Sequence, residues 1–505
     1  MSKRWYRLAL LFGFAVIGLG WAGSPVFAQV KNYTPGEYPA PRIPEYKALT
    51  VEDLMPTART LVRKPAERQP LEPGYGIKPG ERVLIMVSSA FDNRVLDAIV
   101  RAIAEAGGTA DVMKTYTPPR PTSSANHGHT EARLPGERGG FGGGSNDIRR
   151  DLVALGKYDL LLNGSGGPVP NTQFGWEYIP WDTADKFLYS QAGFPYELQR
   201  AMDLKSWELL GEARKIHATD PEGVDITWNF LPQFIGMMRE EFPGYDIVLA
   251  GHLGSFPEFL SPPEAKANGV IAGTINHTGT FPRIVLTVQD NAIVKIDGGG
   301  QYGERWKKRL EICKDVQYPG FPGKGCGWFE EAAVGSDVWR VRELAIADHS
   351  GAASWERGRS GVIHWGLGVS RNSMYLPAVR QWEEKNQPEI TGHQHVHTYF
   401  TTMDFTMADG KVQRIIDKGH LTLLDDPEIR KIAAKYGNPD EMLTEKWIPA
   451  VPGINVPGDY LTDYAPDPYK VIAAQQAERK KKIQVTAGVE KGTDEAGSNM
   501  QAGVR

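Results

Sequence analysis

The amino-acid sequence predicts an α/β protein in which an N-terminal βαβ-type domain is followed by a β-rich α+β domain. The prediction depends on a strand–helix–strand pattern at residues 82–113 and on hairpin patterns that dominate the chain after about residue 246. A third observation is the run from His393 to His397, in which every second residue is histidine. This run predicts that the β-rich domain binds a metal ion.

The composition is that of an ordinary folded protein. The chain has 505 residues, of which 41% are hydrophobic and 23% are charged, and 57 Lys and Arg residues against 61 Asp and Glu give a net charge of −4. This length has room for two or three domains, and 56 glycines and 36 prolines predict many loops. The near-neutral charge gives no reason to expect a nucleic-acid partner, and the composition excludes collagen-like, coiled-coil and fully disordered chains.

The N-terminus has the pattern of a secretory signal peptide. Three basic residues, Lys3, Arg4 and Arg7, precede an apolar stretch from Leu8 to Gly20, and a small-residue cleavage site ends at Ala28. The alternative is a membrane anchor, which needs about 20 apolar residues, and this stretch is shorter. The first 28 residues are therefore predicted to be a signal peptide. The mature protein is expected to be periplasmic or extracellular, without a stable membrane span.

Two cysteines, Cys313 and Cys326, flank a loop rich in proline and glycine. In an oxidising compartment they can close that loop as a disulfide. A free buried pair is the alternative that the sequence leaves open. Neither cysteine has the CxxC spacing of a zinc or redox site.

The α/β domain is predicted to span residues 74–245, after a proline-rich extension at 29–73. Its first strand is at residues 82–87, a helix with apolar residues at helical spacing follows at 91–106, and the next strand is at 110–113. Two strands joined by such a helix form a parallel pair.

The β-rich domain is predicted to span residues 246–430. Alternating segments at 284–288 and 293–296 flank a turn and predict a hairpin. A second hairpin is predicted from segments 398–407 and 411–416.

A C-terminal extension is predicted for residues 431–505. Its first part combines short helical stretches with proline-rich segments. From about residue 475 the composition is charged and polar, which predicts disorder.

The histidine run is the main functional signal. Successive side chains of a strand point to opposite faces, so His393, His395 and His397 share one face. Neighbouring imidazoles can close on a single ion, with a further ligand from elsewhere in the fold. Zinc, cobalt and iron accept such a mixture of imidazole and carboxylate. The alternative is a solvated or hydrogen-bonded histidine face without a metal.

Three residues in apolar segments are candidates for the remaining ligands. His364 lies in the run 362–368, where an unpaired imidazole would be costly. Glu258 and Glu343 are carboxylates inside apolar segments. Taken alone, each such residue is more often a satisfied core residue or half of a structural ion pair. Periodicity does not bring these segments together.

Several segments, taken in order along the chain, carry a family resemblance. They are Gly76–Ile85, Thr219–Asp225, Gly254–Ile271, Glu343–Ala352, Ile363–Gly368 and His395–His397. From about residue 74 to residue 420 the chain thus resembles the M29 metallopeptidases, the aminopeptidase T group. The resemblance implies an aminopeptidase T-like fold and removal of N-terminal residues from peptides by metal-activated water.

By this resemblance the metal ligands are Glu258, Glu343, His364, His395 and His397. Glu258 or Glu343 would bind metal or act as the general base, and Arg371 would hold a substrate carboxylate. Two positions depart from the family pattern, because its Asp is His397 here and a catalytic-site Tyr is Arg371. The loss of a bridging carboxylate weakens the case for two closely spaced ions.

A related branch on the same scaffold implies different chemistry. The segment from Gly392 to Lys418 also resembles the 2,5-dihydroxypyridine dioxygenases. This resemblance implies one iron ion held by two histidines and a carboxylate. In this branch too, the carboxylate position is His397, unless Glu258 or Glu343 supplies the charge.

The sequence therefore supports three hypotheses. The first is an exported aminopeptidase-like hydrolase with zinc, cobalt or manganese. The second is a mononuclear iron(II) dioxygenase that opens a hydroxylated pyridine or aromatic ring, and the third is an exported binding protein without catalysis. The substrate is expected to be a small molecule or a short peptide, and the oligomeric state stays open.

Overall fold

The computed structural model describes most of the chain. The described ranges are residues 30, 33–65, 74–116, 127–137, 156–164, 175–231, 253–254, 261–348, 353–369 and 377–498. The predicted signal peptide and the candidate residues Glu258 and Arg371 lie outside these ranges.

A small parallel sheet forms the N-terminal part of the fold. Its strands are β1 (Arg82–Ser88), β2 (Thr109–Thr115), β3 (Leu160–Asn163) and β4 (Gly175–Tyr178), in the order β2-β1-β3-β4. Helix α1 (Val51–Arg63) precedes these strands, and α2 (Asn93–Glu105) connects β1 to β2. Because β1 and β2 are parallel neighbours, the predicted βαβ unit is confirmed.

Both helices pack on one face of this sheet. In α2, Val95 and Ile99 lie at helical spacing and join the buried cluster that contains Val83 of β1. Helix α1 enters the same cluster through Leu54 and Leu61. Part of the proline-rich extension therefore belongs to the core.

A large antiparallel sheet makes up most of the remaining fold. Its strands are β5 (Ala213–Asp220), β6 (Val224–Asn229), β7 (Leu253–Gly254), β8 (Asn268–Asn276), β9 (Gly279–Gln289), β10 (Ala292–Gly298), β11 (Trp328–Val334), β12 (Ile363–Val369), β13 (Gly392–Thr398), β14 (Thr402–Met407), β15 (Val412–Asp417) and β16 (His420–Leu421). The order is β13-β12-β11-β10-β9-β8-β6-β5-β14-β15-β16, with β7 paired to β11. The sheet thus includes β5 and β6, which precede the predicted domain boundary at residue 246; that boundary stays a prediction.

Both predicted hairpins are present. Strands β9 and β10 pair across Asp290 and Asn291, whose φ angles of 45° and 70° lie in the left-handed region that tight turns require. Strands β14 and β15 pair antiparallel on either side of the turn at Gly410. The α/β class with a small parallel sheet and a β-rich second part is therefore confirmed.

The large sheet rolls so that two strands far apart in its order meet. A Cβ on Gly273 of β8 would overlap Val396 of β13 and approach the carbonyl oxygen of His397 to 3.2 Å. Four strands lie between β8 and β13 in the sheet order. Glycine at this position allows the approach that brings the β8–β9 turn near the histidine strand.

The remaining helices are α3 (Ala184–Leu188), α4 (Tyr196–Glu212), α5 (Gly300–Cys313), α6 (Ala353–Glu356), α7 (Pro377–Asn386), α8 (Pro427–Ala433), α9 (Pro439–Met442), α10 (Tyr460–Asp463) and α11 (Pro468–Ser498). Helix α11 continues past residue 475, where the composition predicts disorder. Gln476 donates to Asp348 at 2.7 Å and accepts from the Ala347 N–H at 2.6 Å, which attaches the helix at this point. Within the described part of the chain, no helix is long and apolar enough to cross a membrane.

Cys313 and Cys326 form a disulfide, which decides between the alternatives that the sequence leaves open. The bond joins the last residue of α5 to the loop before β11, with a Cα–Cα distance of 5.8 Å. Both cysteines are buried and pack with Tyr318, Phe321 and Ile390. The disulfide therefore closes the loop between α5 and β11.

Replacing both cysteines by alanine is expected to lower the free energy of unfolding by about 3 kcal/mol, because a cross-link over a loop of this size restricts the unfolded chain. The measurement is urea denaturation followed by tryptophan fluorescence. Reductant should cost the wild type the same stability and leave the double variant unchanged. Equal stability of the oxidised wild type and the variant would contradict the prediction.

Candidate metal centre

Two neighbouring strands present histidines on one buried face. In the antiparallel pair of β12 and β13, His364 stands opposite His397 and Gly366 stands opposite His395. Because side chains alternate along a strand, His393, His395 and His397 point to the same side as His364. The predicted histidine face is therefore formed, and His364 and His397 are only 1% and 0% exposed.

The next strand, β11, supplies two glutamates through a bulge. Its register against β12 shifts just before Glu331, so the consecutive residues Glu330 and Glu331 both reach the histidine face. Glu331 Oε1 lies 2.8 Å from His364 Nε2, and its Oε2 lies 3.1 Å from His395 Nε2. Glu330 Oε1 lies 2.7 Å from His393 Nδ1.

Two glycines of β12 make room for these side chains. A Cβ on Gly366 would lie 2.8 Å from the Cβ of Glu331 and would overlap its carboxylate. A Cβ on Gly368 would overlap the backbone and the Cβ of His393. Beyond His364, this face of β12 therefore leaves the space into which Glu331 and His393 extend from the two neighbouring strands.

Two further residues reach the face from outside these three strands. His277 lies in the β8–β9 turn, and its ring stacks on that of His395 at a centroid distance of 3.7 Å. Glu131 follows a short 3₁₀ turn; its Oε1 lies 2.5 Å from His395 Nδ1, and its Oε2 accepts from the His395 N–H at 3.1 Å. Tyr302 of α5 donates to Glu131 Oε2 at 3.2 Å and to the His395 carbonyl at 3.0 Å.

Imidazole and carboxylate atoms converge here closely enough to hold a metal ion. The two overlapping groups are His277 with His364 and His395, and Glu331 with His393 and His395. In each group the ligand atoms lie within 4.8 Å of one another. His397 lies beside the first group, with its ring centroid 5.0 Å from that of His277. Among the described residues, neither ring nitrogen of buried His397 has a hydrogen-bond partner, and a metal ion would supply one.

The imidazoles differ in charge. Burial lowers the pKa of His277 and His397 well below the usual value, and neighbouring imidazoles and the Arg357 guanidinium lower it further. Burial also lowers the pKa of His393, but the Glu330 carboxylate outweighs it and the pKa is raised to about 9. At neutral pH, His277 and His397 are therefore neutral and offer lone pairs, whereas His393 is protonated and paired with Glu330.

The two groups share His395, and Glu131 occupies one of its ring nitrogens, so both groups cannot be complete around separate ions. Its Nδ1 contacts Glu131 and its Nε2 contacts Glu331. A ring nitrogen offers one lone pair, so Nε2 serves a single ion. A carboxylate on the opposite nitrogen is the usual way in which a metal-binding imidazole is oriented. Since His393 is paired with Glu330, the better candidate ligand set is the group of His277, His364 and His395 together with Glu331.

The structure brings together three of the residues that the sequence predicts as ligands: His364, His395 and His397. Among the described residues, Glu343 belongs to neither converging group; it is buried and forms an ion pair with Lys186. The other two predicted residues, Glu258 and Arg371, lie outside the described ranges, so their roles stay predictions.

Sequence reasoning missed Glu131, His277, Glu330 and Glu331. The pair Glu330-Glu331 carries a signal, because two carboxylates interrupt an otherwise apolar strand. Regular alternation would place them on opposite faces, so only the bulge makes both available. Glu131 and His277 lie beside turns and have no periodic signal.

Comparisons with known proteins add little. No protein-family profile matches the chain, and no curated protein matches it. Among solved structures, the chain is similar to the 2,5-dihydroxypyridine dioxygenase from Pseudomonas putida KT2440, with a TM-score of 0.44 and 14% sequence identity, over 74% of this chain and 98% of that chain. A likeness this low supports no argument about function, and nothing in these comparisons supports an M29 peptidase.

The substitution Gly366→Ala is expected to weaken metal binding by on the order of tenfold to hundredfold, because the added Cβ displaces the Glu331 carboxylate. The measurement is a Zn²⁺ titration against a chromophoric chelator. The control is Gly437→Ala, whose Cβ would make only ordinary contact with Met442 at 3.5 Å. Unchanged affinity in a folded Gly366→Ala protein would remove Glu331 from the ligand set.

Proposed function

We propose that this centre holds one ferrous ion and that the protein is a mononuclear non-haem iron dioxygenase that opens a hydroxylated pyridine or aromatic ring. The observation that carries the proposal is that both converging groups include His395, whose Nδ1 is already occupied by Glu131. A ligand set of imidazoles and one carboxylate is typical of non-haem iron oxygenases. When bound, the ferrous ion would supply open coordination positions for the substrate and dioxygen.

The proposed ligands are His364, His395 and Glu331, with His277 as a further donor. Glu331 contacts the Nε2 atoms of both His364 and His395, so the three groups face the same point. The imidazoles of His277 and His397 are neutral and lie in the same space. Only one carboxylate would then offset the two charges of the ion, which favours an anionic substrate.

Arg357 adds positive charge at this point. Its Nη1 lies 3.4 Å from His277 Nε2 and donates to Ser354 Oγ at 2.6 Å. The guanidinium is partly buried, where a hydrogen bond to an anion is stronger than in water. We assign to Arg357 the binding of a deprotonated substrate hydroxyl, a role close to the one that the sequence predicts for Arg371.

Glu131 and Tyr302 would position His395. A carboxylate at Nδ1 holds the ring proton on that nitrogen and leaves the Nε2 lone pair directed at the ion. Tyr302 donates both to Glu131 and to the backbone of His395, so it fixes the carboxylate relative to the strand. Both residues act through His395 and are positioning residues.

An aminopeptidase-like hydrolase with zinc, cobalt or manganese is the second candidate. It depends on the M29 resemblance of the sequence, and Glu330 is the observation in its favour. This buried carboxylate stands next to Glu331, near the position of a general base for metal-activated water, but it would have to leave its ion pair with His393 to accept a proton. The shared nitrogen of His395 counts against two separate ions. A binding protein without catalysis is the third candidate.

Export to an oxidising compartment is part of the proposal. The disulfide between Cys313 and Cys326 supports it, because such bonds form and persist mainly outside the cytoplasm. The signal peptide predicted for the first 28 residues points the same way.

Protein purified without oxygen is expected to contain one iron ion per chain by elemental analysis, and a His364→Ala/His395→Ala variant is expected to contain none. With 2,5-dihydroxypyridine or a catechol, the iron-loaded protein should consume dioxygen in a Clark-electrode assay. Two zinc, cobalt or manganese ions with release of amino acids from peptides would favour the hydrolase instead. If the protein contains no metal after anaerobic reconstitution, the third candidate, a binding protein without catalysis, would be favoured.

The substitution Glu131→Gln is expected to lower metal affinity by about 10- to 100-fold, because the amide no longer favours the Nδ1–H tautomer of His395. Chelator competition measures the affinity, and circular dichroism checks the fold. The matched control is Glu137→Gln in the same segment, where the carboxylate pairs with Arg305 and faces solvent. If both variants bind metal like the wild type, Glu131 has no role in positioning His395.

A further inference from the structure

A cavity of about 350 Å³ lies apart from the candidate metal centre. Its walls are formed by the β15–β16 turn, by residues around α8 and α9, and by Arg42 near the start of the described chain. None of the histidines and glutamates of the metal centre lines it. This volume is sufficient for a small organic molecule.

A buried guanidinium lines the cavity and forms no ion pair with a carboxylate among the described residues, although Glu445 and Glu356 act on its charge from a greater distance. Arg359 is 1% exposed; its Nη2 donates to the Tyr399 carbonyl at 3.1 Å, and its Nη1 lies 3.4 Å from the Gly419 carbonyl. Within the described part of the chain, its Nε has no hydrogen-bond partner. A buried charge of this kind is costly unless an anion pairs with it.

Two more cations at the cavity lack an acidic partner among the described residues. Arg42 Nη1 donates to the carbonyl oxygen of Glu445 at 2.6 Å, and Lys418 Nζ lies 5.6 Å from the centre of the Tyr38 ring. These contacts leave their charges uncompensated. Together with Arg359 they give the cavity three cations that form no ion pair with a carboxylate of the described residues.

The carboxylates that line the cavity all have cationic partners. Asp440 pairs with Arg430, and His420 lies 3.0 Å from Asp425 and 2.7 Å from Glu445. The hydrogen bond that His420 donates to Glu445 raises the pKa of His420 to about 9, so this pair is charged at neutral pH. One imidazolium thus serves two carboxylates. With His420 protonated, the lining carries five cations against three carboxylates, so its net charge is still positive.

The rest of the wall is apolar. It consists of Phe400, Leu424, Leu443 and Ile448, together with prolines at either side. We propose that this cavity is a second binding site, for a small organic anion in which a carboxylate is attached to an apolar body. The carboxylate would pair with Arg359 at the base and with Lys418 and Arg42 at the sides, and the apolar body would lie on the hydrophobic wall.

Arg359 keeps its positive charge inside the protein. Burial lowers the pKa of its guanidinium to about 10, although the Glu445 and Glu356 carboxylates act in the opposite direction, so the group stays protonated at neutral pH. A bound carboxylate would offset the cost of burying this charge.

The probe is benzoate, with benzamide as its neutral counterpart of the same shape. In isothermal titration calorimetry, benzoate is expected to bind one site per chain. Benzamide is expected to bind at least about tenfold more weakly, because it lacks the charge that Arg359 recognises. The titration is repeated on protein stripped of metal with EDTA. Benzoate binding should persist there, which separates this cavity from the metal centre.

Lys418→Gln is expected to weaken benzoate binding roughly tenfold and to leave metal content unchanged. Lys411→Gln is the control, since Lys411 is 82% exposed and pairs with Asp409 in the β14–β15 turn. Arg359→Met should abolish binding; if it does not fold, Lys418→Gln and Arg42→Gln decide. No saturable benzoate binding, equal affinity for benzamide, loss of binding with the metal, or an equal effect of Lys411→Gln would each overturn the proposal.

Discussion

A carboxylate buried among imidazoles is the interaction on which the candidate centre depends. Glu331 lies between His364 and His395 inside a rolled sheet, where an unpartnered charge would cost several kcal/mol. The space for it exists because β12 has glycine at position 366 and because β11 bulges beside it. The backbone geometry of β11, β12 and β13 therefore determines whether the carboxylate of the centre can be placed between its histidines.

The part of the centre that the sequence could predict lies on regular strands. His393, His395 and His397 follow from alternation, and His364 follows from the cost of an imidazole in an apolar run. The alternation rule does not apply at the bulge in β11, because the bulge puts two consecutive glutamates on one face. Glu131 and His277 approach through tertiary packing, which local pattern does not encode.

The predictable parts of the fold are likewise those that form between segments close in sequence. The βαβ unit and both hairpins join segments that are close in sequence, and their turns and periodicities are visible there. The neighbours of β5 are different, because this strand pairs with β14, almost 190 residues further along the chain. Where α11 continues past residue 475, Gln476 contacts Ala347 and Asp348, and composition does not reveal such contacts.

The contact between Glu131 and His395 joins residues 264 positions apart. Contacts of such separation form late, after the chain entropy of a long loop has been overcome. An ion at this centre would bind only molecules in which the rolled sheet has closed and the segment around Glu131 has docked, so binding would stabilise that state by mass action. Retention of the ion would then report completed folding, and a shortage of metal would shorten the lifetime of the protein through proteolysis of open molecules.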